Sequence, residues 1–338
     1  MPGLQPHSVS KGRIADRDVK GSFVRHVMAC LDRSPQAIRI LQEASTLASL
    51  FGADLTAIRV LPSGPSTHPC ADPVDWELTR REEIADLRRV ADAAGATSDM
   101  EAIVVCGSPM ACVEQEAHRR GVDLLAVGAG AFGAPHRWGL GGTARHLTET
   151  FEGSVLVIPE EVVDDLPKRR RVLVPMDGSA SAEAALRYAT AIADSRGAEL
   201  VVLHAVSASG PFGHSGTEHN AGSPWREVRQ EADRQAAERI RRLFRLLPPA
   251  GKNNRVRRLD GDEPRRALMK AICEERGDLV VLSARGLGED PDLPLGSTAD
   301  YLLSRAVTPV LLIRNAEPSN HRAVGLAPRR FAEKWRAR

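Results

Sequence analysis

Two aspartates and two glycine-rich stretches are the residues of this sequence best suited to bind a ligand. Asp32 lies in Leu31-Asp32-Arg33-Ser34 and Asp177 in Met176-Asp177-Gly178-Ser179, each directly after a short apolar run. Gly128–Thr143 and Ser283–Thr298 follow later apolar runs and lead into helical patterns. A carboxylate at a strand end accepts a hydrogen bond from an amino or hydroxyl group. A glycine loop that opens a helix presents main-chain N–H groups to an anion. Facing each other across a crevice, the two would hold a nucleotide. Taken singly, each also has a plain structural use: Asp and Ser cap helices, and Gly builds turns.

Other patterns carry less. Gly128-Ala129-Gly130-Ala131-Phe132-Gly133 spells G-x-G-x-x-G, but Pro135 interrupts the helix that would have to begin there. No acidic residue ends a following strand about 20 residues on, as a dinucleotide fold requires. Gly251-Lys252-Asn253 lacks the first glycine and the hydroxyl of a P-loop. His68, Cys70 and Asp72 have no second ligand pair at zinc spacing and read as a loop. Cys106 and Cys112 flank a turn, where packing is the simpler reading than a redox pair, and His204 reads as a strand residue. No Ser-His-Asp set, metal cluster or activated nucleophile can be assembled, so no catalytic residue and no metal ligand is assigned.

The elements that must position the aspartates and glycines occur twice. Asp32 and Asp177, Ser34 and Ser179, Gly52 and Gly197, and Val60 and Ala205 share an offset of 145 residues. Pro109 and Pro264, Asp123 and Asp278, Gly141 and Gly296, and Thr143 and Thr298 share an offset of 155. The ten extra residues belong to Ser207–Pro224, which reads as a loop. The chain is a tandem duplication. Strands are expected at Phe23–Leu31, Asp54–Leu61, Met100–Cys106, Val122–Gly128 and Ser154–Ile158. Their counterparts are Arg171–Met176, Glu199–Val206, Arg255–Leu259, Asp278–Ala284 and Pro309–Arg314. Ile38, Leu41, Ala44, Ala48 and Phe51 recur at helical spacing, with Ser34 as expected N-cap, Pro35 as first helical residue and Gly52 as stop. Alternation of strand and helix predicts a parallel sheet covered on both faces.

Composition agrees with two globular domains. The 338 residues are 42% hydrophobic and 27% charged, with a formal net charge of +2. That argues against a globally basic nucleic-acid binder, and no apolar run approaches the roughly 18 residues of a membrane span. Five cysteines without a CxxC pair fit a reducing cytoplasm better than a disulfide framework. No secretory signal is visible in residues 1–22. The expected organisation is a polar tail at 1–22, domains at 23–160 and 172–315, a basic linker at 161–171 and a basic tail at 316–338. That tail, with Phe331 and Trp335 among six cations, could dock on an acidic partner. Nothing in the sequence points directly to nucleic acid or membrane.

From Phe23 to Arg314 both repeats resemble universal stress protein domains. Nucleotide-binding members of that family carry G-x2-G-x9-G-[S/T] after strand four. Here Gly128-Ala129-Gly130-Ala131 is followed by nine residues and Gly141-Gly142-Thr143, and Ser283-Ala284-Arg285-Gly286 by nine residues and Gly296-Ser297-Thr298. Strand two ends in Ile58-Arg59-Val60 and Leu203-His204-Ala205, where the family has a sequence like Leu-His-Val. The resemblance implies two doubly wound domains, each a five-stranded parallel sheet of order 3-2-1-4-5. It implies that the last strands pair the domains, and it leaves further homodimerisation open. It implies a cytoplasmic stress-response or signalling module with an adenine nucleotide, ATP or AMP, as ligand, Mg only with ATP, and at most slow ATP hydrolysis. Asp32 and Asp177 would meet the adenine, with main chain at Val60 and Ala205. Gly128, Gly130, Gly141, Gly142 and Thr143, or Gly286, Gly296, Ser297 and Thr298, would hold ribose and phosphates. The alternatives are an ATP-using enzyme of related architecture and a structural regulator without ligand. Repeat one has Ala131 for the second glycine; repeat two has Ser283 for the first, and adds Glu289, Asp290 and Asp292. At about 8 Å each of these acids would oppose a triphosphate by roughly 1 kcal/mol. His136 and Arg137 in repeat one would favour it, so the reading leans to repeat one.

Overall fold

A computed structural model describes residues 24–62, 72–96, 99–130, 139–160, 170–207, 231, 234–242, 254–261, 263–286 and 293–314. Repeat one runs β1 (His26–Cys30), α1 (Gln36–Phe51), β2 (Asp54–Leu61), α2 (Pro73–Ala94), β3 (Glu101–Cys106), α3 (Pro109–Arg120), β4 (Leu124–Gly128), α4 (Gly142–Thr150) and β5 (Ser154–Ile158). Repeat two runs β6 (Arg171–Pro175), α5 (Ala180–Arg196), β7 (Glu199–Ser207), α6 (234–242), β8 (Arg255–Gly261), α7 (Pro264–Glu275), β9 (Leu279–Ser283), α8 (Ser297–Leu303) and β10 (Val310–Ile313).

The strands form one sheet of ten, ordered β3-β2-β1-β4-β5-β10-β9-β6-β7-β8. Every pairing is parallel except β5 with β10, which is antiparallel. Leu156 faces Leu311 there, and the two occupy equivalent positions in the repeats. Val157 pairs Val310 and Val155 pairs Leu312, so a pseudo-twofold axis runs through the junction. Each repeat thereby covers the apolar edge of the other, an edge that would otherwise invite foreign pairing.

Alternation along the strands builds two cores. On β1, Val27 and Ala29 join the cluster containing α1 and α5, whereas Met28 joins the cluster under α3, α4, α7 and α8. The helical period on α1 buries Ile40, Leu41, Ala44, Leu47, Ala48 and Phe51, while Ile38, expected on that face, is exposed. Helices α1 and α5 end at Gly52 and Gly197, as expected. Helix α1 starts one residue later than expected: its N-cap is Pro35 and no side chain caps it. In α5, by contrast, Ser179 Oγ accepts from Ala182 N at 3.1 Å.

Ion pairs at the amino ends of the strands show how the repeats diverged. In repeat one, Arg120 on α3 pairs Glu101 at the start of β3. At the matching places of repeat two the charges are exchanged, Glu275 on α7 pairing Arg255 at the start of β8. Arg171, the first residue of β6, joins that network through Glu199 and Glu275. Among the described residues no helix is long and apolar enough to cross a membrane.

Candidate functional site

The order β2-β1-β4 makes the gap between β1 and β4 the place where the chain reverses its direction of winding, and ligands of such sheets lie there, beyond the carboxyl ends. In repeat one a cavity of about 740 Å³ opens at that point. Of the residues singled out in the sequence, Asp32, Val60, Gly128, Gly130, Gly142 and Thr143 line it. Leu31, Ile58, Met110, Val113 and Val127 supply apolar walls, suited to a flat ring system.

Each wall has a local cause. Asp32 leaves β1 in a tight turn in which its Oδ1 accepts from Ser34 N at 2.9 Å and Ser34 Oγ at 2.5 Å. The Ser34 hydroxyl is thus spent on Asp32, which is why it does not cap α1. Gln36 donates its Nε2 to Ile158 O and Pro159 O, at 2.9 and 2.7 Å, tying α1 to the end of β5. That side chain passes so close to β4 that a Cβ on Gly128 would stand 2.7 Å from its Oε1. The glycine loop is closed by Ala129 N donating to Ile158 O and Gly141 N to Ala129 O, both at 2.7 Å. Gly141 then begins α4 without a side-chain cap, leaving Gly142 and Thr143 in the first helical turn at the cavity wall.

The electrostatics centre on a residue the sequence reading passed over. Arg59, only 2% exposed, lines the cavity. Its Nη1 donates to Glu83 Oε2 at 2.8 Å and Asp86 Oδ2 at 2.6 Å, and its Nη2 donates to Asp32 O at 3.1 Å. Arg33 adds a second contact to Glu83. Burial opposes ionisation of Glu83, but hydrogen bonds from Arg33 and Arg59 outweigh it and hold the carboxyl below its ordinary range. Asp86 is held low chiefly by its hydrogen bond from Arg59. Cys30, also on the wall, is a free thiol whose pKa burial pushes up to about 12, which disfavours the thiolate. A carboxylate also approaches the glycine loop: Glu160 Oε2 lies 2.8 Å from where a Gly130 Cβ would stand.

Repeat two keeps the scaffold. Ala284 N donates to Ile313 O and Gly296 N to Ala284 O, the same two bonds in matching positions. Asp177 Oδ1 accepts from Ser179 N at 2.9 Å, as Asp32 does from Ser34. Ala205 and Thr298 are half-buried, Ser297 is exposed, and Gly286 ends the described part of its loop. The turn differs. Gly178 stands where repeat one has Arg33, with φ +85°, and Ala236 of α6 lies 3.3 Å from its would-be Cβ. A side chain there would be strained and would crowd α6. His204 holds the place of Arg59, is 4% exposed, and lies with Nδ1 3.0 Å from Met176 O.

Arg59, Glu83, Asp86, Gln36 and Glu160 were not singled out from the sequence. The offset of 145 that equates Arg59 with His204 was the available signal for the first. One cysteine expectation is corrected: Cys106 is disulfide-bonded. Cys112 is free, its Sγ 3.7 Å from Cys106 O, so the two do not pair with each other. Ala131, His136, Arg137, Glu289, Asp290, Asp292, the loop at 208–224 and the tail at 316–338 lie outside the described residues.

Fold and crevice together define a tandem α/β protein of doubly wound domains joined through their last strands. A sequence profile of the universal stress protein family matches residues 24–159 and 168–314, and the chain belongs to that family. A universal stress protein of Mycolicibacterium smegmatis is 25% identical over 296 residues, covering 85% of this chain and 96% of that one. The universal stress protein in the QAH/OAS sulfhydrylase 3′ region of Thermus aquaticus is 31% identical over 145 residues, 43% of this chain and 98% of its own. The crystal structure of a universal stress protein from Archaeoglobus fulgidus matches 86% of this chain and 98% of its own, with a TM-score of 0.58 and 20% identity.

Proposed function

We propose that this protein is a stress-response signalling module whose repeat-one cavity binds an adenine nucleotide, ATP or AMP. The observation that carries the proposal is the cavity of about 740 Å³, which collects Asp32, Val60, Gly128, Gly130, Gly142 and Thr143 at the switch point of the sheet. The base lies between the apolar walls with its polar edge toward Asp32 and the main chain of Val60. The phosphate points to the start of α4, where uncapped N–H groups and the helix dipole favour negative charge. The role we propose for the cavity is binding and signalling, with the ligand as the signal.

Native mass spectrometry of the full chain tests this. With ATP or AMP at millimolar concentration, an adduct of one nucleotide is expected, and it disappears when Gly142 is replaced by a bulky acidic residue. Absence of any adduct would overturn the proposal.

A further inference from the structure

The apolar wall of the repeat-one cavity holds a sulfur that solvent reaches. Pro109, Met110 and Val113 of α3 line the cavity. Met110 and Val113 are three residues apart and share a helix face, yet they differ in exposure. Val113 is buried, whereas Met110, in the first turn of α3, is 37% exposed. The other described methionines are packed away: Met28 and Met176 are buried, and Met100 and Met269 pack against the two cores. Exposure and the ligand's wall therefore coincide at Met110.

The cysteines of this corner are poor targets for an oxidant. Burial raises the pKa of Cys30 on the wall to about 12, and burial with Glu116 nearby raises that of Cys112 on α3. Cys106, at the end of β3, is already disulfide-bonded. Thiols react with peroxide as thiolates, so a thiol held neutral reacts slowly. A thioether has no proton to lose, and exposure alone governs its attack. We propose that Met110 is an oxidation site through which hydrogen peroxide releases the nucleotide from repeat one. The thioether sulfur forms a bond to one peroxide oxygen as the O–O bond breaks. The hydroxide that leaves takes the proton of the transferred oxygen, giving a sulfoxide and water. Sulfur loses two electrons and the peroxide gains them. The sulfoxide sets a strong dipole where Ile58, Val113 and Val127 make an apolar wall, and a base packed on it would strip its oxygen of water. The loss of binding rests on the nucleotide reading above; the oxidation rests on exposure.

Peroxide treatment of the full chain, followed by peptide mass mapping and calorimetric titration with AMP, tests this. Met110 is expected to gain an oxygen before the other methionines, and saturating AMP should slow that gain. The oxidised protein should bind AMP about tenfold more weakly, and methionine sulfoxide reductase should restore the affinity. Met110→Leu removes the sulfur at similar volume. Whatever the starting affinity of that variant, peroxide should leave it unchanged, although the free thiols of Cys30, Cys112 and Cys273 remain. If the variant does not fold, reversal by the reductase on the unsubstituted protein decides. Oxidation spread evenly over the methionines, or an affinity unchanged once Met110 is oxidised, would overturn the proposal while leaving nucleotide binding intact. Untreated protein that binds no AMP would overturn both.

Discussion

Arg59 is a buried cation held by two carboxylates, so its environment governs both the site and the stability around it. Replacing Glu83 by Ala leaves Arg59 with Asp86 as its one carboxylate among the described residues, and loss of one partner from a buried ion pair costs about 3 kcal/mol. The expected outcome is a correspondingly lower urea midpoint. The same residues set a pH dependence. The carboxyls of Glu83, Asp86 and Glu275 are held below their ordinary values in the folded state. Groups with depressed folded-state pKa values stabilise the fold above the ordinary carboxylate range and lose that contribution as pH falls through it. Stability should therefore hold near neutrality and decline on acidification below about pH 4.5, the ordinary value for Glu. Urea unfolding as a function of pH measures this, and the Glu83→Ala protein should show a shallower decline.

Elements carry the site's geometry, and they were unequally visible. Asp32, Gly128 and the Gly142-Thr143 start of α4 were legible because each sits at a boundary between a period of two and a period of 3.6, which local sequence records. The partners of Arg59 were not. Glu83 and Asp86 lie on the long polar helix α2, 24 and 27 residues away, and only the packing of α2 over β2 brings them together. Ser34 looked like a cap because its type and place were right; the tertiary need to fix Asp32 took its hydroxyl instead. Helix α4 shows a further dependence between elements. Arg314, at the end of β10, donates from Nη2 to Thr148 O and to Glu149 O, capping α4 from the other repeat. Burial, with Arg285 nearby, holds its pKa below the usual arginine value. Arg314→Ala should remove about 1 kcal/mol and loosen α4. Nucleotide affinity at repeat one should then fall severalfold, as read by titration, although the residue belongs to repeat two.

At the scale of the molecule, duplication turned a symmetric junction into an asymmetric one. Arg145 on α4 lies 3.5 Å from Asp300 on α8, and these are the same position in the two repeats. In a symmetric pair that position would meet its own copy and repel it. Across α1 and α5, Glu43 pairs Arg196 at 2.8 Å, while the positions equivalent to them are Tyr188 and Phe51, whose rings meet edge-on at 5.8 Å. One contact has become ionic and its mate aromatic, which favours one repeat binding the other over either binding itself. Glu43→Arg or Arg196→Glu alone should each lower stability by about 1 kcal/mol, and the double exchange should restore most of it. Against this asymmetric frame, the central claim is that repeat one holds a nucleotide at the ends of β1, β2 and β4. Hydrogen–deuterium exchange of the full chain with and without ATP or AMP tests it most directly. Slower exchange is predicted at residues 31–33, 58–61, 128–130 and 142–144; unchanged exchange there, or protection confined to other segments, would contradict it.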